Sequence, residues 1–245
     1  MTIEPVDDVR RTRSDEAGWF AGGGLLIAAG LATAVSAMLQ WSLCGTNAPS
    51  QACVALRSTM NMLPIQADTP ALRVAWAAPL AALGLTLATV AWIAYLILSP
   101  LARSTKIFGA VVAAPLVIMT IGGWLGVWSV ESWVAHGGAW IIIGTISELL
   151  GIGFLVYAIM SRQAMDLIIT RRLVVLLFGV TAFGTMHQSA EFILFGLPNQ
   201  AATGVPRYLG LGTAITLVIT GAAVIWMTVQ ARKRPPRARD VSVLG

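Results

Sequence analysis

Charge is what this sequence has least of. Of its 245 residues only 11% are charged, against roughly a quarter in an ordinary soluble domain, and 57% are hydrophobic. Water cannot be the main solvent of such a surface, so a soluble globular protein is excluded and lipid takes its place. Histidine and cysteine are nearly absent, with two of each. No Gly-x-Ser-x-Gly elbow, Walker loop or His-Glu-x-x-His stands anywhere in the chain, and the few hydroxyls near His187 make no nucleophile set. Lysine is scarce too, with two against fourteen arginines. Together with abundant alanine and glycine, this points to a GC-rich genome such as an actinobacterium's.

Long apolar runs are there instead. They fall at about 18–43, 73–98, 108–130, 139–160, 173–196 and 208–230. Each is long enough to cross about 30 Å of hydrocarbon as a helix, the element that satisfies its own backbone in lipid. The expected architecture is all-α: a six-transmembrane-helix bundle spanning 18–230, with an N-terminal tail over 1–17 and a basic tail over 231–245. The six spans use most of the chain, which leaves no room for a soluble catalytic domain. The first run follows Arg10, Arg11 and Arg13 and contains the small residues Ala34 to Ala37. It is too long for a typical signal-peptide core and reads as a retained span.

The net charge of +5 does not imply nucleic acid, because the basic residues flank the apolar runs. With the N-terminus inside, thirteen basic residues lie on the inner side and three, Arg57, Arg73 and Arg207, on the outer. That split over short loops predicts cytoplasmic N- and C-termini in a bacterial plasma membrane. Aromatic residues follow the same scheme. Trp41, Trp76, Trp133, Trp140 and Tyr208 fall near the outer boundary, and Trp19, Trp92, Tyr95, Tyr157 and Trp226 near the inner, where amphipathic rings favour the headgroup level.

The longest loop, 44–72, holds both cysteines, Cys44 and Cys53. An even pair on the oxidising side predicts a disulfide, which would stabilise by about 2–3 kcal/mol by the chain-entropy relation. Eight intervening residues do not give the tight Cys-x-x-Cys geometry of a redox pair. Downstream, Asp68-Thr69-Pro70 reads as the N-cap and first-turn proline of the second span.

Ionisable residues inside hydrocarbon cost several kcal/mol and are the first place to look for function. Three stand there: Glu148, His187 and Glu191. In the fourth span Gly144, Ser147, Glu148 and Gly151 share one helical face, and in the fifth Gly184, His187, Gln188 and Glu191 repeat the spacing. Counting inward from Trp140 and Gly196 at about 1.5 Å per residue puts Glu148 and His187 at the same depth, roughly 13 Å below the outer surface. Contact between them is geometrically possible, and Glu191 could bond to His187 along its own helix. The trio is either polar glue between two spans or a proton-titrating site. The other histidine, His136, lies in an outer loop at a different level, so no metal or haem site and no cofactor is expected.

Small residues form ladders in two further spans: Gly24, Ala28, Ala32 and Ser36 in the first, and Gly212, Thr216 and Thr220 in the sixth. Such ladders let helix backbones approach closely. The function expected from these features is that of a non-catalytic accessory or stabilising subunit of a larger plasma-membrane complex. Its partners would be membrane lipid and other integral membrane subunits, with an envelope lipid importer or a respiratory assembly as candidate hosts. The alternative is a small proton-coupled transporter or channel using the intramembrane Glu/His site. An intramembrane enzyme ranks third, for want of a nucleophile.

Overall fold

The computed structural model describes residues 6–41, 76–99, 103–128, 138–161, 167–191, 193 and 210–233. These residues are helical apart from short turns. The helices are α1 (Val6–Trp41), α2 (Ala77–Leu98), α3 (Arg103–Trp128), α4 (Gly138–Ser161), α5 (Leu167–Val180), α6 (Thr185–Glu191) and α7 (Leu211–Lys233). Five stretches among them are long and apolar enough to cross a membrane: Glu16–Leu39, Ala77–Leu98, Arg103–Leu125, Ile142–Met160 and Leu211–Arg232. The protein is therefore an α-helical membrane protein. Cys44, Cys53, His136 and the Asp68-Thr69-Pro70 motif lie outside the described residues.

Three boundaries depart from the sequence-based expectation. First, α1 reaches back to Val6, so most of the expected tail is helical. Asp7 and Asp8 precede Arg10 and Arg11 at the i, i+3 and i, i+4 spacings that favour a helix even in water. Second, α2 starts at Ala77 rather than 73, because Trp76 adopts a left-handed conformation (φ 70°) that a helix cannot continue through. The third departure is the largest. The fifth apolar run is not one continuous helix but α5 and α6, separated by a turn over Thr181 to Gly184.

Helix α1 lies at the centre of the bundle, packed against α2 on one side and α7 on the other, with α5 also touching it. Its seam with α7 is made of small residues at heptad spacing. A Cβ at Gly23 would come within 2.8 Å of the Gly221 carbonyl oxygen, one at Gly30 within 2.7 Å of the Ala214 carbonyl, and Ala37 meets Gly210. Gly210 itself has φ +94°, a conformation open to glycine at little cost, and its carbonyl accepts the Ala214 N–H as α7 begins. Within the chain this seam lies one residue off the ladder read from sequence, where Gly24 has open space around it and Ala28 is exposed. Four-residue steps drift about 40° around a helix whereas seven-residue steps drift about 20° the other way, so the heptad row stays on the partner. Ser36 does belong to the packed side, donating to the Ala77 carbonyl at 2.6 Å. In α7, Gly212 and Thr220 are buried, and Thr216 is half-buried.

The aromatic residues near the Glu16–Arg232 end also depart from expectation. Trp19 and Trp92 are 0% exposed, and with Tyr95 and Phe154 they form a packed aromatic core. Trp19 and Tyr95 ring centroids lie 4.4 Å apart, and Trp92 meets Phe154 edge-on at 5.3 Å. The Trp92 indole donates to the Gly109 carbonyl at 3.0 Å, which satisfies it away from any headgroup. Of the inner set only Trp226 is broadly exposed.

Candidate functional site

The break between α5 and α6 creates the site. At an uninterrupted helix the N–H groups of Met186 and His187 would bond back to Ala182 and Phe183. Here the chain turns at Thr181 to Gly184, leaving the first N–H groups of α6 without helical partners. Such donors are usually met by the side chain of the N-cap residue. The residue in that position is Gly184, which has no side chain.

Glu148, projecting from the middle of α4, supplies the cap instead. It is 4% exposed. The Met186 N–H donates to Oε1 and Oε2 at 3.0 and 2.9 Å, and the His187 N–H donates to Oε1 at 3.2 Å. Oε1 also lies 3.1 Å from His187 Nδ1. The absence of a side chain at Gly184 is what makes room: a Cβ there would sit in hard contact with the Glu148 carboxyl group.

Other bonds complete the stitching. Thr181 Oγ1 donates to the Leu177 carbonyl at 2.8 Å, and the Ala182 and Gly184 N–H groups donate to Gly179 and Thr181. Gln188 donates from its side chain to the Phe183 carbonyl at 3.0 Å and from its backbone to the Gly184 carbonyl at 3.1 Å. Thr145 donates to Thr185 at 3.1 Å, tying α4 to the first residue of α6. Gly144 lets the two elements approach, since a Cβ there would lie 3.2 Å from Thr185 Oγ1.

The structure thus brings Glu148, His187 and Gln188 to one break and sets Gly144 and Gly151 on the same face of α4. Ser147 is buried beside them, and its hydroxyl finds no hydrogen-bond partner among the described residues. Glu191 ends α6, and its side chain is outside the described set. The His187 ring packs 4.3 Å from Phe178, with Nε2 buried and without a partner among the described residues. Among the described residues no three His, Cys, Asp or Glu side chains come together as a metal site would need.

Beside the stitched break lies a cavity of about 390 Å³. Its walls are Gly151, Ile152 and Leu155 of α4 and Val174, Leu177 and Phe178 of α5, with Glu148, His187 and Met186 at one end.

Sequence reasoning missed a second buried polar group. Arg172 on α5, counted only for the charge balance, is 5% exposed. Its guanidinium donates to the Met227 carbonyl of α7 at 3.3 Å and lies over the Trp19 ring, 5.8 Å from the centroid. Arginine buries more readily than lysine because its charge is delocalised and stacks on aromatic faces. The residue therefore fastens α5 to both α1 and α7.

Fold and site together define a helical membrane protein with a polar-stitched helix break beside an apolar cavity. No family model, curated protein or solved structure matches the chain.

Proposed function

We propose that this chain is a non-catalytic accessory or stabilising subunit of a larger bacterial plasma-membrane complex. The single observation that carries the reading is the employment of Glu148. Both oxygens of the only buried carboxyl group among the described residues are spent on backbone N–H groups and an imidazole that hold a helix break closed. A group so committed organises packing; a transport site must release and rebind its cargo.

α5 and α6 run antiparallel to α4 and α7, since Arg172 meets Met227, Gly179 meets Thr220 and Thr185 meets Thr145. This pair therefore serves as a sixth, broken crossing between the fourth and last continuous spans. The thirteen-to-three distribution of basic residues then directs both ends of the chain to the cytoplasm. Cys44 and Cys53 would form their disulfide on the opposite side. An envelope lipid importer or a respiratory assembly remains the proposed host.

A second reading is favoured by the cavity beside His187: a small proton-coupled transporter using Glu148 and His187. Purification from the native membrane in mild detergent, followed by native-gel mobility and mass spectrometry, separates the two. Stoichiometric recovery with subunits of one large complex is expected. Recovery alone, together with proton-coupled uptake into vesicles that Glu148→Gln abolishes, would replace the first reading by the second.

A further inference from the structure

We infer that the cavity between α4 and α5 is a lateral site for one acyl chain of a membrane phospholipid. It holds about 390 Å³, space for about a dozen waters at ~30 Å³ each. Water persists in a cavity only where each molecule finds two to four polar partners. This cavity offers almost none. Its side walls are Gly, Ile, Leu, Val and Phe, and of the polar atoms at its edge only His187 Nε2 lacks a partner among the described residues. The Glu148 oxygens accept from Met186 and His187, the Thr181 hydroxyl donates to Leu177, and His187 Nε2 is buried.

A void of this size left dry and empty would forfeit the dispersion contacts of every wall atom. Hydrocarbon fills it without either cost. The mouth faces the medium that would supply it: Ile152, Val174, Phe178 and Met186, which line the cavity, are also outward-exposed apolar residues of the spanning region. The depth of Glu148, roughly 13 Å below the outer surface at about 1.5 Å per residue from Trp140, matches the middle of a chain rather than a headgroup. The bound chain would seal the Glu148–His187 pair from water. This inference rests on the chain being membrane-embedded and not on its having partner subunits, so its failure leaves the copurification result untouched.

The test uses the full chain in bilayer discs of phosphatidylcholine and phosphatidylglycerol, with a small fraction of phosphatidylcholine carrying a diazirine at mid-chain. After illumination, adducts are mapped by peptide mass spectrometry. Adducts on Ile152, Leu155 and Phe178 are expected severalfold above those on Ile97 and Ile118, which are exposed on α2 and α3 away from the cavity. Leu155→Trp, which fills the space, and Ile152→Trp, which narrows the mouth without touching the core, should each cut the Phe178 adducts severalfold and leave those at Ile118 unchanged. Equal labelling at all exposed apolar positions would overturn the proposal. So would oxidation of Met186 by hydroxyl radicals generated in water at the rate of a water-exposed methionine, which would mark the cavity as wet.

Discussion

The two halves of the bundle are held together by opposite means. On the α1–α7 side the helices are continuous and the contact depends on removing atoms: Gly23, Gly30 and Gly221 bring backbones so close that a single Cβ would collide. On the α4–α6 side a helix is interrupted and the contact depends on adding a polar group, the Glu148 carboxyl, where backbone bonds are missing. Close backbone packing gains many small dispersion contacts and leaves nothing unsatisfied, so it tolerates no bulk but needs no chemistry. The interrupted side leaves polar donors in an apolar medium and depends on one side chain to meet them.

That contrast can be broken at named positions. The largest effect should come from Gly184→Val, which forces Glu148 out of its place and also unmakes its bonds. A loss of about 4 kcal/mol is expected from overpacking and stranded donors together, read as reduced thermal stability in detergent. Glu148→Leu strands the same N–H groups without the collision and should cost about 3 kcal/mol. Because both act on one contact, combining Gly184→Val with Glu148→Ala should cost less than the two changes summed, a coupling that a double-mutant cycle would expose. On the other side, Gly23→Leu drives a side chain into the Gly221 carbonyl and should cost about 2 kcal/mol. Its neighbour Gly24→Leu, with open space around it, should stay within about 0.5 kcal/mol. Equal effects at positions 23 and 24 would refute the heptad seam. A loss smaller than that at Gly23 should follow Ser36→Ala, where one hydrogen bond to Ala77 disappears and about 1 kcal/mol goes with it.

The sequence made the spans legible for a simple reason: hydropathy sums over about 20 residues and survives errors of a few positions at each end. The helix break was hidden by the same summation. Ala182 and Phe183 are apolar and buried, so the turn leaves the hydropathy of the run intact. A local signal was present, however. Gly184 is followed by Thr185-Met-His-Gln188, the spacing of a capping box, in the middle of a span where no helix should begin. The common depth of Glu148 and His187 could be counted from the span ends, because rise per residue is constant in either a whole or a half helix. What could not be counted was the partner of the carboxylate. Its main bonds go to backbone N–H groups, which every sequence has and which only a break exposes. The face of α1 that packs within the chain lies one residue off the ladder for a related reason, since glycine and alanine are so frequent there that several periods fit.

Amide hydrogen exchange of wild type and Glu148→Leu in the same detergent tests the central claim most directly. If the carboxylate serves to hold α6 in place, exchange across Thr181 to Glu191 should accelerate strongly in the variant. Peptides from α1, α2 and α7 should keep their wild-type protection. Unchanged exchange over Thr181 to Glu191, with the protein otherwise intact, would mean that α6 stands without Glu148. The carboxylate would then be free for proton or substrate handling, and the structural account given for it would be wrong.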